Sequence, residues 1–325
     1  MIKKEELLKN IIKHPEQGYA LYYCENENEF SVTNGLETVN KKHFISLDSA
    51  FRLASVSKQF IAFSIVRLIK NGYLKYETNV FEIFPELPMY FQKIKIKHLL
   101  NHTSGVLNYE DMPHDENGEQ LQDDDIITFL KTTNRTYFEI GSTYKYSNTG
   151  YILLGLIISK VTNLSIGEYV KKEIFEKASM NNSFVNYQGI TVIPNRAFGH
   201  IINNDNKLLE KDQYWCSATI GDGGIYSTVN DLKKWIKYLT STDEYKDMKI
   251  PNYLGEESYN EYGMGIRIIK SKGKEIIYHC GETIGTNTLL LFSSDLNICL
   301  IFLTNIDGIN TAIMKDNLLE YLNNN

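Results

Sequence analysis

Two ends of this chain share one apolar pattern and the middle has another. Residues 18–24 (GYALYYC) and 29–33 (EFSVT) are short aromatic and β-branched runs, and the same character returns at 262–270, 275–279, 286–292 and 297–303 between turn residues such as Ser293-Ser294-Asp295. Runs of this kind predict strands, and their close succession towards the C-terminus predicts a meander of antiparallel neighbours. Between the two ends the apolar spacing is helical. Residues 57–70 carry Phe60, Ile61, Phe63, Ile65, Val66, Leu68 and Ile69 and meet Asn71-Gly72 as a stop, which predicts a helix buried on most sides. Further helices are predicted over 94–101, 123–132, 149–162, 166–176, 230–240 and 311–322, and Leu7, Leu8, Ile11 and Ile12 mark an amphipathic helix near the start.

The pattern predicts the α/β (α+β) class. Residues 1–325 are expected to form one domain, with an antiparallel sheet built from both termini, flanking helices, and a mostly helical insertion at about 74–205. A cleft between sheet and insertion is the expected site. At 325 residues, 42% hydrophobic and 23% charged, the chain can bury a substantial core, and the composition argues against disorder. The net charge of -6 comes with no basic patch, so nucleic acid is not an expected partner. No run of about 18 apolar residues occurs and no leader pattern opens the chain, so a cytoplasmic protein without a membrane partner is expected. Cys24, Cys216, Cys280 and Cys299 are scattered without metal-ligand spacing, which predicts free thiols, no metal and no cofactor.

Candidate chemistry begins at Ser55-Val56-Ser57-Lys58, where an extended segment turns into the buried helix. Residues three apart on a helix share a face, so the Lys58 amine can reach Ser55 Oγ and, stripped of water, take its proton. The helix start beside Ser55 offers backbone N–H groups to a developing oxyanion. Tyr146-Ser147-Asn148 precedes the apolar run YILLGLIISKV, and alternation along a loop turns Tyr146 and Asn148 to one cleft, as proton relay and as an amide donor to substrate or Lys58. His279-Cys280-Gly281-Glu282 ends a predicted strand; Gly281 permits close backbone approach, and the Glu282 N–H is a second oxyanion donor. His102 is expected to brace its turn rather than to react, and the acidic segment from Asp111 to Asp125 is expected to be a solvated loop ending in a helix cap. Gly221-Asp222-Gly223-Gly224 lacks the strand and Lys-Ser/Thr of a phosphate loop.

In their order and spacing, FRLASVSKQF, HLLNHTSGV, YKYSNTGYILLGLII, GDGGIYSTVNDLKKW and the His279 to Gly281 element resemble the serine β-lactamase and penicillin-binding-protein superfamily, and within it the class C β-lactamase-related esterases and D-peptidases. The resemblance implies a β-lactamase-like fold and an acyl-enzyme intermediate. It makes Ser55 the nucleophile, Lys58 and Tyr146 the proton-transfer pair, and Asn148, His279, Gly281 and Glu282 substrate-binding positions. His279 stands where β-lactamases carry a lysine, which weakens the anchor for a substrate carboxylate. The expected substrate is therefore a small-molecule or short-peptide acyl ester or amide; a true β-lactamase and a slow penicillin-binding sensor are the alternatives.

Overall fold

The computed structural model describes residues 1–115, 118–251 and 261–324. Its centre is a seven-stranded sheet with every neighbouring pair antiparallel, in the spatial order Glu261–Tyr262, Arg267–Ser271, Lys274–Thr283, Thr286–Ser293, Ile298–Thr304, Tyr19–Glu25, Asn28–Asn34. The first and last parts of the chain thus meet in one sheet, as the apolar pattern predicts. Both faces of the sheet are covered. Tyr19, Leu21 and Tyr23 pack with the terminal segments, including Ile2, Leu7, Met314 and Leu318, while Ala20 and Tyr22 face the main core. This two-sided burial explains why the central strands read as unbroken apolar runs.

On the main-core face lies the helix Lys58–Lys70, in which every side chain from Lys58 to Arg67 is buried. Phe60 stacks on Trp235 of the helix Val229–Thr240 at 4.4 Å between ring centroids, and Gly72 closes the helix at φ 79°. The insertion supplies the helices Ile96–Leu100, Asp123–Lys131, Asn148–Thr162 and Ile166–Val170, the last continued by a π turn at Lys171–Phe175. The C-terminal helix is Ala312–Asn324.

Three differences from the sequence reading affect the site. The run 262–270 is two strands, because Gly265 turns at φ 72° and a Cβ there would lie 2.5 Å from the Lys58 carbonyl oxygen. The run 275–279 extends to Thr283, so His279 to Glu282 lie within a strand and not at its closing turn. At the N-terminus only Lys4–Leu7 is helical; Leu7 and Ile11 are buried but Ile12 is exposed. Among the described residues no single helix is long and apolar enough to cross a membrane.

The acidic segment also departs from expectation. Glu116 lies outside the described residues, and Asp115 and Glu119 are exposed, but Asp123 is buried and accepts hydrogen bonds from the N–H groups of Ile220 (2.8 Å) and Gly221 (3.3 Å). Gln122, not an acidic residue, occupies the cap position. Burial, reinforced by the nearby Asp222 carboxylate, pushes the Asp123 carboxyl up to about 8. A carboxyl raised above its unfolded value of 3.8 contributes most to stability below that value, and the contribution is lost as pH climbs towards about 8. Asp123→Asn keeps an acceptor and carries no charge, so the variant should gain stability relative to the parent between about pH 5 and pH 9. Urea unfolding across that range checks this, and a difference that moves the other way would dispose of it.

Candidate active site

The segment before the buried helix is pinned at both sides. Leu53 donates its N–H to the Ile225 carbonyl at 2.8 Å and its own carbonyl accepts from Thr288 Oγ1 at 2.9 Å. Ala54 is then forced to φ 46°, a region costly for a residue with a Cβ. Ser55 follows in the 3-10 turn Ala54–Ser57, and the α-helix begins only at Lys58. The strained residue therefore aims Ser55 out of the chain's path, and its side chain is half-buried at the wall of a cleft of about 700 Å³.

Lys58 is fully buried, and its Nζ donates to three acceptors drawn from three parts of the chain: Ser55 Oγ at 3.1 Å, Asn148 Oδ1 at 2.7 Å and the Asp222 carbonyl at 2.8 Å. An ammonium has only donors, so the Asn148 amide meets it through oxygen and not as the donor expected from sequence. Ser147, not Asn148, caps the helix Asn148–Thr162 by accepting from the Gly150 N–H. The Tyr146 ring centroid lies 5.0 Å from Lys58 Nζ, and the buried Tyr146 hydroxyl has no hydrogen-bond partner among the described residues. Ser55, Lys58, Tyr146 and Asn148 are thus brought together.

His102 governs the position of Tyr146. Its carbonyl accepts from the Lys145 N–H at 3.0 Å and its Nδ1 accepts from the Ser147 N–H at 3.1 Å, so both neighbours of Tyr146 are tied to one residue. Its ring lies against the Tyr146 ring at 4.4 Å. Burial, with the nearby Lys58 charge, holds this histidine well below its usual range, so the neutral ring carries its proton on Nε2 among the rings of Tyr144, Tyr151 and Tyr262. The turn bracing expected from sequence is in fact bracing of Tyr146.

The strand Lys274–Thr283 closes the opposite wall. A Cβ on Gly281 would sit 2.2 Å from the Leu53 carbonyl oxygen, 2.4 Å from Thr288 Oγ1 and 3.1 Å from the Ser55 nitrogen. Only glycine lets this strand approach the Ser55 backbone. The neighbouring strand Arg267–Ser271 pairs only as far as Tyr278, so among the described residues the segment from His279 to Thr283 has no β-partner on that side. Glu282 is exposed beside the opening. His279 borders the cleft but is 2% exposed; burial, with Arg267 and Lys58 nearby, holds it well below its usual range. Its Nδ1 faces the Cys280 carbonyl at 2.6 Å and its Nε2 meets the Tyr262 hydroxyl at 3.2 Å, so the neutral ring donates from Nδ1 and accepts at Nε2. Both nitrogens are engaged within the protein.

The cation facing the cleft is Arg267, which the sequence reading missed. Its guanidinium lies 5.6 Å from the Tyr146 ring centroid and 5.3 Å from that of Tyr262. Glu110 lines the same cleft and is also new. Asn108 Nδ2 donates to its carboxylate at 2.7 Å, while Asn108 Oδ1 accepts from the Asn148 N–H at 3.1 Å, so Glu110 is fixed relative to Asn148. Neither residue belongs to a local motif; only the folded chain gathers them. Among the described residues no cluster of His, Cys, Asp or Glu could hold a metal ion.

A family model described as Beta-lactamase matches residues 10–322. A penicillin-binding protein of Bacillus subtilis (strain 168) is 30% identical over 312 residues, covering 90% of this chain and 69% of its own length. Other curated relatives are matched over as little as 63% of theirs. In fold, the chain is similar to the penicillin-binding protein from Bacillus halodurans (TM-score 0.82, 22% identity, 93% of this chain and 96% of that one). It is similar also to the D-amino acid amidase from Ochrobactrum anthropi SV3 (TM-score 0.81, 20% identity, 99% of each chain).

Three substitutions at two residues test this geometry through the rate of fluorophosphonate labelling, which is expected at Ser55. Gly281→Ala should slow labelling by about a hundredfold or more, because the strand must retreat from the Ser55 N–H. His102→Ala should slow it and cost about 2–3 kcal/mol in urea unfolding, since the Ser147 N–H loses its acceptor and a cavity opens. His102→Asn, which tolerates positive φ and restores an acceptor, should recover stability without recovering the rate. Full labelling rates in the Ala variants would show that neither residue shapes the site.

Proposed function

The chain belongs to the beta-lactamase family, a group of penicillin-binding-protein-like serine hydrolases, and from that membership we propose that it hydrolyses ester or amide bonds through an acyl-enzyme on Ser55. The observation that carries this reading is the triple anchoring of Lys58 Nζ on Ser55 Oγ, Asn148 Oδ1 and the Asp222 carbonyl, with the unpartnered Tyr146 hydroxyl in the same wall. The Lys58–Tyr146 pair first releases one proton to solvent, so that one member is a base; Ser55 Oγ then attacks the substrate carbonyl and its proton refills that vacant site. The Ser55 and Glu282 N–H groups receive the oxyanion, which the fit of Gly281 against the Ser55 backbone supports. The pair then returns the proton to the leaving group, and water releases the acyl chain.

The charge layout narrows the substrate. Glu110 and Glu282 offer carboxylates and Arg267 a guanidinium around one opening, which favours amino-acid or short-peptide esters and amides bearing charged ends. The neutral, engaged His279 leaves Arg267 as the anchor for a substrate carboxylate. A β-lactam should acylate Ser55 yet turn over slowly, the outcome that separates this reading from a β-lactamase.

Ser55→Ala should abolish mass addition from fluorophosphonate, penicillin and amino-acid esters in intact-mass spectrometry. Undiminished labelling of that variant would end the proposal. Arg267→Gln should raise KM about tenfold for substrates with a free carboxylate and far less for uncharged esters. Equal effects on both would remove Arg267 from recognition. Steady-state nitrocefin hydrolysis as fast as that of the best ester would instead favour a β-lactamase, and acylation without turnover across the panel would favour a sensor.

A further inference from the structure

The sheet sets two of the four cysteines side by side, away from the cleft. Cys24 and Cys299 are directly opposite in the register between Tyr19–Glu25 and Ile298–Thr304, so their side chains emerge on one face with Cβ atoms about 5 Å apart. Both are unpaired thiols, both are half-buried, and both line a surface cavity of about 680 Å³ with Ile236, Thr240 and Phe292. The register also fixes their distance from the reaction. Glu282 aligns with Asn287, which aligns with Thr304, so Cys299 lies five positions (about 17 Å) along the strand and two strands across from Glu282.

The two thiols are unequal. A hydrogen bond from Cys299 draws the Cys24 thiol down to about 6, whereas Cys299 itself is held well above its ordinary range by the same contact and by burial. Burial raises Cys280 and pushes Cys216 up to about 11. The adjacent pair therefore contains a nucleophile and a thiol placed to resolve it.

We propose that Cys24 and Cys299 form a redox-active dithiol that reacts with low-molecular-weight disulfides entering the cavity beside the first and last strands. The Cys24 thiolate attacks one sulfur of the small disulfide, forming a mixed disulfide and expelling a thiolate. Cys299 then gives up its proton to solvent and attacks the Cys24 sulfur, expelling the second thiolate. The small disulfide is reduced to two thiols, and the two cysteines are oxidised to one disulfide. A pair directly opposed in a sheet lies within the Cα separation that a disulfide spans. The bond joins the chain's first strand to its last and closes a long loop, so the oxidised form is the more heat-stable one.

The experiment exposes the full chain and its Cys24→Ser and Cys299→Ser variants to hydroxyethyl disulfide, followed by intact-mass and non-reducing peptide mapping. Fluorophosphonate labelling of Ser55, which the two cysteines do not approach, serves as the check on folding. The parent should lose two free thiols, yield a Cys24–Cys299 peptide and show a raised Tm reversed by a reductant. Cys299→Ser should stop at a mixed disulfide on Cys24, and Cys24→Ser should stay unmodified at the pair. The reaction should slow as pH falls below about 6. A mixed disulfide that persists on the parent's Cys24, or faster reaction at Cys216 or Cys280, would overturn the proposal.

Discussion

Everything at the cleft depends on one buried ammonium. Lys58 has no exposure to water, and a buried charge is tolerated only when its donors are met. The three acceptors come from the turn before the helix, from the insertion and from the loop at Asp222. Satisfying the charge therefore requires all three segments to be in place, which couples assembly of the insertion on the sheet to completion of the site. The supports continue outward: Tyr109 donates to the Asp222 carboxylate at 2.9 Å, and Asp123 holds the N–H groups of Ile220 and Gly221 next to it.

Close backbone approach is the second constraint. Gly281 sets the strand against Leu53 and Ser55, Gly265 sets its neighbour against the Lys58 carbonyl, and a Cβ on Gly221 would lie 2.5 Å from the Tyr151 carbonyl oxygen. Two strands thus meet the start of the helix Lys58–Lys70, and the loop at Gly221 meets the helix Asn148–Thr162, with no side chain between the backbones. The strain at Ala54 is stored where these contacts overdetermine the chain.

The histidines show how packing decides charge. His102 and His279 are both buried among aromatic rings and near Lys58, and both are neutral for that reason. Neither serves as an acid at the cleft; His102 fixes the segment carrying Tyr146, and His279 fixes the strand edge through Cys280 and Tyr262. The charged groups that line the opening are instead Arg267 and the carboxylates of Glu110 and Glu282.

The sequence by itself determined most of the elements and which side chains meet around Lys58. Strand runs at both ends, the helix after Ser55 and the Ser55, Lys58, Tyr146 and Asn148 positions were legible because helical spacing, alternation and turn residues are local properties. The tertiary structure decided the rest. Arg267, Glu110 and the Asp222 carbonyl belong to the site only through strand pairing and loop packing across distant parts of the chain, which no local spacing encodes. Asp123 reads as one more solvated acid beside Asp124 and Asp125, and burial alone makes it a tether. The direction of the Asn148 amide, the protonation of His279 and the pairing of Cys24 with Cys299 likewise follow from which groups the fold places opposite them.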